Sequence, residues 1–130
     1  MSAIKQLLHQ QQNDQMSAIL NQTKSEFLVD ALIERLNDEW KVNCIESGRS
    51  VYHQLEVEVG RKYIKIVEYM MVGGERQRGN SVWMFVENAT GACYKPASWK
   101  SPAKGVRYYI DQLVEYPHIC DAYGSFLYMR

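Results

Sequence analysis

Apolar residues at helical spacing dominate the first forty positions of the chain. Two apolar clusters stand in the first 22 residues: Ile4, Leu7 and Leu8, then Met16, Ile19 and Leu20. The segment between them is rich in glutamine, so the pattern predicts one helix with a break or two short helices. Their narrow apolar stripe would bury poorly within a monomer. Two alternatives are equally open: these helices form a homo-oligomer, or they pack on the rest of the chain.

A stronger helical pattern follows a sequence that is typical of a helix N-terminus. Residues 23–26 (TKSE) fit a capping box, in which the threonine hydroxyl accepts from a backbone amide and the glutamate side chain reaches back. Behind it, apolar residues recur at helical spacing at Val29, Ile33, Leu36 and Trp40. The pattern therefore predicts a helix over Lys24–Trp40, followed by a connector over residues 41–49.

From residue 51 onward the apolar period changes to two, which predicts strands. Val51–Val59 alternates apolar and polar residues, and a turn follows at residues 60–62. Residues 73–80 (GGERQRGN) are predicted to be a polar, flexible loop, and the turn at 89–91 places Gly91 for a positive φ. Three further strands are predicted, at Tyr63–Val72, Ser81–Asn88 and Ala92–Lys95.

A helix and a docked tail are predicted after the strands. Ser101 before Pro102 resembles an N-cap followed by proline at the first helical position, which predicts a helix from Pro102 to Glu115. Pro117 stops it, and the apolar, aromatic tail 118–130 is expected to dock on the sheet as a strand. The predicted class is α+β: N-terminal helices packed on an antiparallel sheet of four to five strands, with a further helix after the basic stretch. The predicted units are a helical extension, 1–47, and a sheet-plus-helix domain, 48–130.

Composition narrows the functional classes. The chain has 130 residues with fifteen basic and fifteen acidic side chains, so its formal charge is zero. A neutral chain argues against a generic nucleic-acid coat and leaves local patches. The apolar runs fall short of a membrane span, and the N-terminus lacks the apolar core of a signal peptide. Three widely spaced cysteines indicate free thiols in a reducing cytoplasm.

One stretch stands out, residues 94–108 (YKPASWKSPAKGVRY), which carries four cations and no acid. A helix starting at Ser101 would point backbone amides at an anion there. Rings beside cations also suit a nucleotide or a single-stranded nucleic acid. There are two alternatives. The stretch could be a structural corner whose lysines face solvent, or it could contact a protein partner. The candidate binding residues are Tyr94, Lys95, Trp99, Lys100, Lys104 and Arg107, with Arg76 and Arg78 of the 73–80 loop as further contacts.

Catalytic and metal-binding patterns are weak. His9, His53 and His118 are far apart in sequence, and His53 on an apolar strand face is read as a core histidine. The cluster at 118–121 (HICD) lacks the usual arrangement, in which catalytic partners arrive from distant segments. Glu56 and Glu58 on one strand face are read as solvated. No enzyme activity, metal or cofactor is therefore expected.

A distinctive pattern runs through residues 81–110, from a Ser-Val-x-x-Phe-Val strand through a Thr-Gly turn to Tyr-Lys-x-Ala-Ser-Trp and Pro-Ala-Lys-x-x-Arg. The residues that carry it are Ser81, Val82, Phe85, Val86, Thr90, Gly91, Tyr94, Lys95, Ala97, Ser98, Trp99, Pro102, Ala103, Lys104 and Arg107. This pattern resembles that of a family of small uncharacterised proteins of tailed bacteriophages, and the resemblance covers about residues 63–130. Ala92 departs from the family pattern, since relatives usually place an acid after Thr-Gly.

The resemblance implies a phage protein in the cytoplasm of an infected bacterial host. The expected function is non-catalytic binding of a host or phage macromolecule, a protein foremost, with interference in a host defence or another host process as its concrete form. The alternative is a nucleic-acid or nucleotide-phosphate binding module that uses residues 94–108. No membrane partner is expected.

Overall fold

The computed structural model describes residues 3–121 and 124–128, and it confirms the α+β class. A long helix packs on a five-stranded antiparallel sheet, and a short helix follows the sheet. The elements in chain order are α1 (Ala3–Glu46), β1 (Val51–Val59), β2 (Tyr63–Val72), β3 (Glu75–Glu87), β4 (Ala92–Tyr94), β5 (Tyr108–Tyr109) and α2 (Ile110–Glu115), followed by 3₁₀ turns at Pro117–Ile119 and Ser125–Leu127.

Helix α1 is continuous, so the predicted break and the predicted start at residue 23 are both wrong. Thr23 does not cap a helix; its hydroxyl donates to the carbonyl of Ile19 one turn earlier, at 3.0 Å. The reason is compositional, because no glycine or proline interrupts residues 3–46. The helix also extends past Trp40 to Glu46, and Gly48 then ends it with a φ of 70°. The connector is correspondingly shorter than predicted.

The sheet is a meander in which strand order equals chain order, β1-β2-β3-β4-β5. The predicted strands are confirmed, although β3 begins six residues earlier than expected. The predicted flexible loop at 73–80 is therefore wrong: Gly73 and Gly74 make a two-residue turn, and Glu75 already pairs with Val72. The register then shifts between Tyr69 and Met71, which leaves an irregularity in β3 opposite that point.

One face of the sheet carries the core. Alternate strand residues point to this face, where α1 contributes Val29, Leu32 and Leu36, and α2 contributes Ile110 and Leu113. The other face, called here the open face, presents the opposite set of strand residues. The core residues from the strands are Leu55, Ile64, Ile66, Trp83, Met84, Val86 and Cys93.

The chain after β4 differs most from the prediction. The expected helix over Pro102–Glu115 is reduced to Ile110–Glu115, because Pro102 pairs with Pro96 in a β-bridge. Pro117 ends the helix as expected. The tail docks by burying Phe126 and Leu127, as predicted, but in a 3₁₀ turn rather than as a strand. Tyr123 lies outside the described residues.

Candidate functional site

The basic stretch forms an extended hairpin between β4 and β5, called here the basic hairpin (residues 95–107). Its two arms are joined by the Pro96–Pro102 bridge, and the Ala103 amide donates to the carbonyl of Lys95 at 2.9 Å. Farther down, the Arg107 amide donates to the Cys93 carbonyl at 2.8 Å. Proline is tolerated at both bridge positions because neither position needs a backbone amide to donate a hydrogen bond to the sheet.

The predicted helix start at Ser101 is wrong, so the backbone amides that such a start would have turned toward an anion are not arranged in that way. Ser101 lies in the tip of the hairpin, where its carbonyl accepts from the amides of Ala97 and Ser98 at 3.0 and 3.1 Å. The Ser101 hydroxyl lies 3.0 Å from the Ser98 hydroxyl. The amide of Ala103 donates to the carbonyl of Lys95. The hairpin therefore presents no helix N-terminus to an anion.

Aromatic rings line the open face beside the hairpin. Tyr63 of β2 contacts Phe85 of β3 and Tyr94 of β4 edge to face, each with ring centroids 6.0 Å apart. The tip of the hairpin reaches the same face, since the Lys65 ammonium lies 4.4 Å from the centroid of the Trp99 ring. Trp99 is nevertheless 42% exposed, so part of this side chain is accessible to a ligand.

A groove of about 320 Å³ lies between the β1–β2 turn and the hairpin tip, and is called here the cationic groove. Four cations from separate parts of the chain line it together with one carboxylate, Glu58. Lys65 is 3.9 Å from Glu58, whereas Lys62 lies over the Tyr63 ring at 5.4 Å. The four cations of the groove are Arg61, Lys62, Lys65 and Lys100.

Asn88 fixes the backbone of the turn that carries two of these cations. Its side-chain amide donates to the carbonyls of Gly60 and Arg61 at 2.9 and 3.1 Å, and its backbone amide donates to the carbonyl of Lys62 at 2.9 Å. The Asn88 carbonyl in turn accepts from the buried hydroxyl of Ser25 on α1, at 2.9 Å. The groove is therefore attached to both the sheet and the helix.

The structure brings together only part of the predicted binding set. Tyr94, Trp99 and Lys100 lie on the open face at or beside the cationic groove. Lys95 belongs to the other face, because side chains alternate along a strand and its ammonium lies 5.3 Å from the Tyr128 ring. Among the side chains that the structure describes, no carboxylate lies within 4 Å of Lys95, Lys100, Lys104 or Arg107.

Sequence reasoning missed the cations that come from the β1–β2 hairpin. Arg61 and Lys62 stand in a segment that was read only as a turn, and Lys65 was read only as a strand residue. The signal was the pairing of that turn with the end of β3, which places Tyr63 opposite Glu87 and Lys65 opposite Phe85. The alternation of apolar and polar residues predicts each strand, but it does not show that the β1–β2 turn lies beside the tip of the basic hairpin.

The two arginines expected in a mobile loop lie elsewhere. Arg76 is a strand residue of β3, and it forms an ion pair with Glu56 while its guanidinium lies 4.0 Å from the Tyr69 ring centroid. Arg78 follows in the irregular part of β3, where the register shifts opposite Met70. Arg76 is therefore already engaged by its own sheet.

The candidate catalytic groups in the described part of the chain have neighbours that the sequence did not predict. His53 on β1 lies 3.4 Å from Glu68 on β2, a partner that the sequence did not reveal. Burial raises the pKa of the Cys120 thiol to about 12 against the opposing effect of Arg35, so this thiol is protonated at neutral pH. Asp121 accepts instead from the amide and hydroxyl of Ser125. Among the described residues, no group of three acidic, histidine or cysteine side chains is placed to hold a metal.

The fold and the groove define the class: an α+β protein with a helix-covered meander and an open face bearing rings and cations. The chain belongs to a family of unknown function, DUF7717, whose model matches residues 5–129 and so includes nearly all of α1. No curated protein and no solved structure matches it. In the part of the chain that the structure describes, every helix is too short or too polar to cross a membrane.

Proposed function

We propose that this protein is a non-catalytic binding protein that takes up a macromolecule on its open face, through the cationic groove and Trp99. The observation that carries the proposal is the meeting of four cations and an exposed indole from two separate hairpins. The resemblance to phage proteins supports a setting in the cytoplasm of an infected bacterium. Binding there would interfere with a host defence or another host process.

Single-stranded nucleic acid is the ligand class that this surface suits best. Non-specific single-strand binding combines a positive groove for the phosphates with exposed rings for the bases. Arg61, Lys62 and Lys100 supply the positive charge, whereas the Lys65 ammonium already contacts Glu58 and the Trp99 ring. The exposed part of the Trp99 side chain supplies the stacking surface. A neutral whole chain is compatible with this, because the field at the groove depends on nearby charges.

The size of the electrostatic effect follows from the number of cations. Three phosphate contacts predict a slope of about −2 for log K against log salt with single strands. Affinity should then fall roughly 20-fold between 50 and 200 mM salt. Stacking of one base on Trp99 should contribute about 1–3 kcal/mol, so Trp99→Ala should weaken binding roughly 5- to 150-fold.

The test is fluorescence anisotropy with labelled oligothymidylate and oligouridylate at several salt concentrations. Lys62→Ala and Lys100→Ala should each weaken binding and make the salt slope shallower by about 0.7. Lys41→Ala is the matched control, because this lysine is exposed on α1 and does not line the groove. Lys104→Ala, on the same hairpin outside the groove, should have a smaller effect than Lys100→Ala.

The result that would overturn the nucleic-acid assignment is the absence of a complex with either oligonucleotide at 50 mM salt. A protein partner is the other outcome. It would show as a host or phage protein that cross-links to the wild type and is lost on Trp99→Ala, with no oligonucleotide binding. If neither ligand responds to Trp99→Ala or Lys100→Ala, the open face is not the binding surface.

A further inference from the structure

The N-terminal part of α1 carries an apolar line that its own domain leaves exposed. Met16, Leu20 and Phe27 are 62%, 65% and 72% exposed. At 3.6 residues per turn these three fall within a sector of about 40°, and Thr23, between Leu20 and Phe27 along the helix, lies about 20° outside that sector. These four residues are called here the outer stripe. Exposed aliphatic and aromatic side chains aligned in this way are typical of an interaction surface.

The protein's own sheet has no access to the outer stripe. The helix residues buried against the sheet, such as Val29, Leu32 and Leu36, lie about 180° around the helix from it. Before Ser25, none of the described side chains of α1 is buried. The helix is about 66 Å long, and its described buried residues begin at Ser25, so the described residues that precede Ser25 lie beyond the part that packs on the sheet. A cover for the stripe must come from another molecule.

We propose that a second copy of this chain covers the outer stripe, in an antiparallel pair of α1 helices. The register we propose is centred between residues 21 and 22. Met16 of one copy then lies against Phe27 of the other, and Leu20 lies against Thr23. The pairing is isologous, as expected for a two-fold dimer, since each contact occurs twice.

Charge complementarity selects this occupant and this direction. Beyond Phe27 the same line of the helix becomes acidic, with Asp30, Glu34 and Asp38. The antiparallel register places this acidic segment opposite the N-terminal segment of the partner, whose sequence before residue 22 carries one cation, Lys5, and one acid, Asp14. A parallel pair would instead align each acid with its own copy, and like charges at close range oppose association.

The shape of the subunit allows this arrangement. The overlap runs from residue 5 to residue 38 of each copy, which is about 50 Å of helix. Each sheet lies on the far side of its own helix, because the buried and outer sides of α1 are opposite. The two domains therefore lie on opposite sides of the helix pair and do not compete for the interface. The inference does not depend on what binds at the cationic groove.

The test is the mass of the full chain in solution, measured by sedimentation over a range of concentrations. Leu20→Asp should raise the dissociation constant of the dimer at least roughly 100-fold, because a symmetric interface loses two buried leucines. Ile45→Asp is the matched control. It alters an aliphatic residue, 66% exposed on the same helix, that lies outside the overlap. Both variants should keep the wild-type circular dichroism spectrum, since neither residue is in the core.

Two further experiments test the direction of the pair. Lys5→Glu should dissociate the dimer, and Lys5→Glu combined with Asp38→Lys should restore it. Met16→Cys mixed with Phe27→Cys should give a mixed disulfide between two chains. A disulfide formed by Met16→Cys alone would overturn the antiparallel register. A wild-type chain that stays monomeric at about 100 μM, far above the range of specific dimers, would overturn the whole inference.

Discussion

Two glycines with nearly the same backbone conformation allow the cost of a steric clash to be measured alone. Gly91 ends the β3–β4 turn with a φ of 75°, and Gly48 follows α1 with a φ of 70°. A Cβ added at Gly91 would lie 2.8 Å from Cγ2 of Ile110, whereas one at Gly48 would have no neighbour within 4 Å. Alanine at both positions adopts the same unfavourable left-handed conformation, but only Gly91→Ala also disturbs the packing of α2 on the turn.

The two contributions differ in a predictable way. The left-handed conformation costs about 1–2 kcal/mol for a residue with a Cβ, and this applies to both substitutions. The lower entropy of the unfolded alanine chain offsets up to about 1 kcal/mol at both positions. Overpacking adds about 1–3 kcal/mol at Gly91 alone. The free energy of unfolding should therefore fall about 1–3 kcal/mol further for Gly91→Ala than for Gly48→Ala.

The measurement is urea denaturation of both variants and the wild type, compared at equal m-values. Ile110→Leu provides an independent test, because leucine lacks Cγ2 while its volume is the same. Combined with Gly91→Ala, it should recover most of the additional loss as a coupling energy. If the two alanine variants are equally stable within about 0.5 kcal/mol, the contact between the turn and Ile110 does not limit stability, and the reasoning fails.

Two other predictions concern titratable groups. Burial raises the pKa of Glu68 against the opposing effect of His53, so the native carboxyl keeps its proton to a higher pH than the unfolded one, whose pKa is 4.5. Stability should therefore fall as pH rises from about 4.5 through the folded pKa, and urea midpoints for Glu68→Gln should lack this slope. The thiols should react slowly with a disulfide reagent at about pH 8 in the native protein and fully in denaturant, since Cys44 and Cys93 are buried and burial raises the pKa of Cys120 to about 12. Rapid native labelling would contradict this.

Much of the fold could be predicted from local patterns. Apolar residues with a period of two predicted the strands, and apolar residues with a period of 3.6 predicted the part of α1 that packs on the sheet. The start at Thr23 was wrong because a capping box is also compatible with a helix interior when the preceding residues form helix well. The helix at Pro102 was wrong because the same Ser-Pro pair fits a β-bridge, and the partner proline is six residues earlier. Local sequence does not distinguish these alternatives.

The candidate site could be predicted only in part, for a related reason. Trp99 and Lys100 stand in one conspicuous stretch, so composition was enough to select them. Arg61 and Lys62 come from a hairpin far earlier in the chain, and only the strand pairing places them beside Lys100. Lys95 shows the converse case. It was included in the predicted binding set because it is close to Trp99 in sequence, but strand alternation directs its side chain to the face of the sheet opposite the open face.

The order of the strands has a consequence for how the chain folds. Because every strand pairs with its neighbour in sequence, the whole ladder can grow by closing short loops, which favours rapid folding for a β-rich domain. Two hydrogen bonds connect distant segments: Ser25 on α1 donates to Asn88, and Arg35 on α1 donates to the carbonyl of Val114 at 2.9 Å. These contacts close the longest loops and should form after the meander. Substitutions at Ser25 and Arg35 should then mainly accelerate unfolding, with φ-values near zero.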